Sequence, residues 1–279
     1  MNKLNFAIVC AIVIAMGAMM GACKGGGSKS AVTQGDTLAI ANMQLADSSS
    51  FTKSNGERCA ISATANIDYP AGLADTTTLM KLFTKYVLES DTLAFKDASR
   101  LTVTNSLHQY DFLAEAPEDS DEPDDDLEAT YRYNTTCNIR AFYNRNDLVT
   151  FCRVDVIKKN DVISSVTHKY YTFDLANMSY VDQTKMFRED ALGDVAQLLR
   201  NTLLRQNKVA NNEQLNELGY YNAENISTTT NFFITDNGVT WSFLPNELAV
   251  EAVGEPQISV SFEDLEPFRG DSSVLKRLF

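Results

Sequence analysis

At 279 residues with 44% hydrophobic side chains, the chain is long enough to bury a large core, which excludes a disordered or fibrous class. Its formal charge of −13 excludes a nucleic-acid binder held through phosphate contacts. Two histidines and five cysteines with no Cys-x-x-Cys or His-Glu-x-x-His spacing give a His and Cys metal site no support, and no motif asks for a cofactor.

The first 22 residues have the pattern of a signal peptide. Asn2 and Lys3 make a small positive head, Phe6 to Met20 is uncharged and mostly aliphatic, and Met20-Gly21-Ala22-Cys23 supplies small residues at a cleavage site. The alternative is an uncleaved spanning helix, since the uncharged stretch approaches the ~20 residues a bilayer needs, but Gly17, Gly21 and the Lys24-Gly25-Gly26-Gly27 exit weaken it. With Cys23 at the cleavage point, the segment resembles a bacterial lipoprotein signal. That resemblance implies lipid on Cys23, a membrane partner reached through it, and a place in the cell envelope. The absence of Asp after Cys23 implies the outer membrane, and the absence of an acidic cluster there implies its periplasmic face. Residues 23–36, rich in Gly and Ser, read as a linker.

Leu38 to Leu45 reads as a first strand and Asp47 to Gly56 as a loop. Cys59, Ile61, Ala63, Ala65 and Ile67 then alternate with polar or small residues up to Pro70, as in a half-buried strand. Leu79, Leu82, Phe83, Tyr86 and Val87 switch to helical spacing, whereas Leu101 to Phe112 fits helix or strand. Residues 115–128 hold nine acids and no base. They read as a solvated loop, with a calcium site as the alternative, although the glycine and terminal Glu of an EF-hand are missing.

Three strands follow, Ala129 to Tyr143, Leu148 to Ile157 and Val162 to Phe173, as an antiparallel meander. Cys137 and Cys152 flank its first turn, and the register decides between a disulfide linking them and buried thiols at Cys59, Cys137 and Cys152. A helix of about five turns starts near Phe187, with Leu192, Val195, Leu198, Leu199 and Leu203 along one stripe. Asn212 to Glu217 reads as a short helix. Asn237-Gly238 predicts a type I′ hairpin that sets Phe232 opposite Phe243 and Ile234 opposite Trp241, with Trp241 in the core. Gln257 to Phe262 is a last strand, Glu263 to Phe268 a turn or short helix, and residues 269–279 a frayed tail. The fold class is α+β, with two small lobes at residues 37–180 and 181–268, each an antiparallel sheet packed by a helix.

Phe232 to Phe243, Asn246-Glu247-Leu248-Ala249, Gly254 and Ile258 to Leu265 resemble the extracytoplasmic domain of the RsiV anti-sigma factors. Thr167-His168, Asp174-Leu175 and the helix after Phe187 resemble the small domain that precedes it, also found in some polysaccharide deacetylases. Asn246 stands where the family usually has Tyr, and Val250-Glu251 where Pro-Tyr usually follows the Ala. RsiV senses lysozyme, so the resemblance implies a protein or cell-wall glycan ligand, with His168 and Glu247 as candidate contacts. No Gly-x-Ser-x-Gly, phosphate loop or other catalytic constellation is present, which favours a non-enzymatic binder. The alternatives are an envelope glycan hydrolase working through paired carboxylates and a scaffold lipoprotein.

Overall fold

The computed structural model describes residues 38–53, 57–72, 76–115 and 130–278, all within one compact unit. The signal segment 1–22, Cys23, the linker 23–36 and the acidic residues 116–128 lie outside the described residues. Among the described residues, no helix is long and apolar enough to cross a membrane.

A six-stranded sheet runs in chain order: β1 Ala39–Thr52, β2 Arg58–Ala71, β3 Thr130–Arg145, β4 Leu148–Lys159, β5 Val162–Asp174 and the short β6 Ser179–Tyr180. All neighbours are antiparallel except β2 and β3, which pair in parallel. A parallel pair needs a crossover, and α1 (Thr76–Tyr86) and α2 (Phe95–His108) lie in it. The undecided stretch from Leu101 is therefore largely helix. The three-stranded antiparallel sheet holds β7 (Phe232–Ile234), β8 (Gly238–Ser242) and β9 (Gln257–Ser261), and it packs with α3 (Leu192–Asn207) and α4 (Asn212–Glu217). The architecture is thus α+β, but its larger sheet is mixed and not purely antiparallel.

Period 2 explains why the helices sit on one face of the larger sheet. Ala63, Ala65, Ile67, Cys137, Ile139, Val149, Phe151, Tyr171 and Phe173 point to the same side and bury Leu79, Phe83 and Val87 of α1 with Ala98 and Val103 of α2. Phe83 meets Phe151 edge-on, with ring centroids 4.9 Å apart at 79°. Arg153 reaches up from β4 to donate to the carbonyl of Val87 at 3.0 Å, where a helix end leaves carbonyls unsatisfied. The second core gathers Val195, Leu199 and Leu203 of α3 around Phe232, Ile234, Val239 and Trp241. It also takes in Tyr143 and Leu148 from the β3–β4 turn, so the two sheets share packing there.

Four expectations are corrected by this geometry. The serine run after Asp47 is strand and not loop, because β1 pairs residue by residue with β2 from Ala39–Ala71 to Thr52–Arg58. Cys137 and Cys152 form no disulfide. Asn146 and Asp147, both at φ 56°, make a two-residue turn, and a bulge at Phe142 shifts the ladder, so Cys137 faces Asp155 and Cys152 faces Arg140. The two sulfurs thereby lie on opposite sides of the sheet. In the β7–β8 hairpin the loop residues are Asp236 and Asn237, and Phe232 pairs with Trp241, Ile234 with Val239. The Thr235 hydroxyl takes the N–H groups of Asn237 (3.3 Å) and Gly238 (3.2 Å), which fixes the loop one residue earlier than the Asn-Gly pair suggests. The shift of two in the pairing keeps the faces, and Trp241 is fully buried. Finally, the C-terminal segment does not fray over its described residues. Val274 and Leu275 are buried, and Arg277 reaches Asp174 at 2.5 Å.

A candidate ligand-binding face

The side of the six-stranded sheet opposite the helices carries different chemistry. β1 presents Asn42, Gln44, Ala46, Ser48 and Ser50; β2 presents Ala60, Ser62, Thr64, Asn66 and Asp68; β3 presents Arg132, Asn134, Thr136, Asn138, Arg140 and Phe142. Apart from Ala46, Ala60 and Phe142, these are the polar members of the alternation whose apolar members make the core. Register aligns them in rows. One row runs Gln44, Asn66, Asn138, Val154 and His168 across five strands.

Cross-strand hydrogen bonds hold the rows in place. Asn42 donates to Asn66 and Asp68, each at 2.8 Å, and Arg140 donates to the same two residues at 3.2 and 3.1 Å. Ser62 donates to Asn134 at 2.6 Å, and Thr64 to Thr136 at 3.3 Å. Arg132 and Asn134 line a depression of about 410 Å³ together with Ser48, Ser49, Ser50, Ala60, Ile61 and Ser62. From Arg132 to Phe142 the strand advances ten residues, a track of roughly 30 Å with a side chain every ~7 Å. At its far end Phe142 is 45% exposed and leans on Phe233 (5.0 Å) and Tyr170 (5.7 Å).

His168 sits beyond this track, on the outer edge of β5, and is committed to structure. Its backbone N–H donates to Glu255 at 2.8 Å and its Nδ1 lies 2.6 Å from the other oxygen of that carboxylate. Asn231 caps the same edge: its amide accepts from Tyr170 N–H at 2.8 Å and donates to the carbonyls of His168 (3.1 Å) and Ser242 (3.0 Å). A side-chain amide and a carboxylate thus replace the next strand of the ladder and tie the two sheets together. Glu247 does not join His168. Its carboxylate accepts from Leu244 N–H at 2.8 Å and braces an exposed turn in which Asn246 takes φ 64°.

Sequence reasoning missed Asn231 and Glu255, since each meets β5 only through tertiary packing across more than sixty residues of chain. The outer face was visible only as the polar half of an alternating pattern. Cys152 lies under Phe233, and burial pushes its thiol up to about 12 although the Tyr170 hydroxyl opposes this; burial does the same to Cys137 on the helix side. Neither thiol is a nucleophile at neutral pH. Among the described residues no cluster of His, Cys, Asp and Glu is placed to hold a metal ion.

Residues 184–263 match a family model described as DUF3298, Protein of unknown function. No curated protein matches the chain. Its fold is similar to the crystal structure of a DUF3298 family member from Bacteroides fragilis, 17% identical, TM-score 0.67, with 88% of this chain and 99% of that one covered. It is also similar to that of a DUF3298 family protein from Pseudomonas aeruginosa, 12% identical, TM-score 0.52, with 86% and 97% covered. At these identities the likeness is one of fold.

Proposed function

We propose that this chain is a non-enzymatic, lipid-anchored protein of the cell envelope, tethered through Cys23 to the periplasmic face of the outer membrane, and that it holds a cell-wall glycan fragment along the outer face of its larger sheet. The observation that carries this reading is the track from Arg132 to Phe142: hydroxyl, amide and guanidinium groups pre-ordered by cross-strand bonds, with an exposed aromatic ring at one end. Sugar rings offer hydroxyls and acetamides to such groups and an apolar face to a ring, and a muropeptide carboxylate suits Arg132. His168, Glu255 and Glu247, the groups with catalytic potential, already serve the fold. A second reading, a protein ligand of the lysozyme kind implied by the RsiV resemblance, is favoured by the formal charge of −13, which attracts a basic partner.

Calorimetric titration of the detergent-extracted protein with muropeptides and with lysozyme separates the two. Glycan binding is expected to weaken about tenfold in Arg132→Ala, the loss of one charge-assisted hydrogen bond. Lysozyme binding would instead survive that change and fall with added salt. Silence with both ligands overturns the binding role. In the same cells Cys23→Ser is expected to leave the membrane fraction on carbonate washing, and its retention there would refute the lipid tether.

A further inference from the structure

The free side of β1 carries a second surface, independent of the outer face. β1 is the end strand of its sheet, fourteen residues long, and pairs with β2 without a bulge. Edges of this length are ordinarily blunted by Pro, Lys, a bulge or brevity. Ala39-Ile40-Ala41-Asn42-Met43-Gln44-Leu45-Ala46 has no proline, no charge and no break.

The pairing shows which backbone groups point outward. Lys53 N–H donates to the Glu57 carbonyl at 2.9 Å, so odd-numbered residues of β1 bond to β2 and even-numbered ones face away. Ser48 agrees, since its N–H is taken by the neighbouring Asp47 carboxylate at 2.8 Å and not by β2. That contact closes the ladder at Ser48. Ile40, Asn42, Gln44 and Ala46 remain, and their outward N–H and C=O groups meet no strand among the described residues.

We infer that this segment pairs with the same segment of a second copy, antiparallel about a two-fold axis at Met43. Three features select a second copy. The four outward-facing residues are symmetric about Met43, so Asn42 of one copy bonds Gln44 of the other and Ile40 bonds Ala46, which uses every open position and stops at the Asp47–Ser48 block. Side chains agree in character. Met43 meets Met43 and Ala41 meets Leu45 on the helix side, where Met43 and Leu45 are only partly covered by the core. Asn42 meets Gln44 on the outer side, which continues the amide row across the axis. Lastly, two copies each of charge −13 repel over most of their surface, and this stretch is uncharged, with Asp47 displaced to the ends of the pairing.

Met43→Cys tests the geometry, because opposed residues in a non-hydrogen-bonded antiparallel pair stand ~4.5 Å apart between α-carbons, within disulfide reach. Mild oxidation of the full-length variant is expected to yield a 43–43 linked peptide by mass spectrometry, whereas Ser49→Cys, beyond the block, yields none. Sedimentation equilibrium of the detergent-extracted wild type is expected to show a dimer. Gln44→Pro removes an N–H that the monomer does not use, and is expected to give a folded monomer by circular dichroism; Met43→Lys, which opposes two like charges, gives the same result by another route. A wild type that remains monomeric at all concentrations overturns the inference. So does a dimer that persists in both variants, or one that forms without the 43–43 link.

Discussion

Gly238→Ala is expected to lower the stability of the protein by about 3 kcal/mol, toward the upper end of what overpacking costs. A β-carbon there would lie 1.9 Å from the carbonyl oxygen of Val260 and 2.9 Å from the α-carbon of Ser261. Both are backbone atoms of the adjacent strand, so no side chain can swing aside to relieve the contact. β8 is the central strand of the smaller sheet, and separating it from β9 disturbs Trp241, Ile258 and Val260 in the core beneath. Urea unfolding would show a lower midpoint with an unchanged slope. A midpoint equal to that of the wild type would mean that β8 and β9 are spaced more widely than described.

Asp174→Ala is expected to cost about 3–5 kcal/mol, the range for removing one partner of a buried ion pair. The Asp174 side chain is 2% exposed and accepts from Arg277 at 2.5 Å, from Asn177 Nδ2 at 2.7 Å and from the backbone N–H of Ala176 at 3.0 Å. Burial by itself would raise its pKa, but the bonds from Arg277 and Asn177 outweigh it and hold the carboxyl below its ordinary value. A carboxyl lowered on folding adds stability above its unfolded pKa of about 3.9, and that contribution disappears as the pH falls through the folded value. The wild type should therefore lose urea resistance on acidification below about pH 4, and Asp174→Asn should lose less over the same interval. Parallel titration curves for the two proteins would rule out the pairing with Arg277.

Alternation of apolar and polar residues made β2 to β5 legible, because a half-buried strand must repeat every two residues. The stripe Leu79, Phe83 and Val87 likewise announced α1 and its buried side. Ser48, Ser49 and Ser50 carry no such signal. They are strand because β2 supplies the backbone partners, a tertiary effect that overrides local preference. The pairing of Cys137 with Asp155 turned on a bulge at Phe142, and a single inserted residue leaves no mark in composition. Asn237-Gly238 misdirected the hairpin register for a related reason: Gly238 is demanded by the closeness of Val260, not by a positive φ. Of the proposed binding face, the chemistry was readable as polar positions on β2 and β3, but the alignment of Ser62 with Asn134 depends on a parallel neighbour that no spacing foretells. Glu255 and Asn231 were equally hidden, since nothing local distinguishes an amide or carboxylate that will cap a strand edge.

The parallel seam between β2 and β3 has a kinetic side. Among the described residues every other neighbouring pair of strands is antiparallel, most of them joined by short connections, whereas this one closes only after the chain has travelled through α1, α2 and the acidic segment. Loop closure of that length is slow relative to hairpin formation. The β1–β2 pair, whose strands lie close together along the chain, is therefore expected to form before β3 docks beside it. Closure of this seam, and not the formation of any hairpin, is the step expected to set the folding rate of the larger sheet.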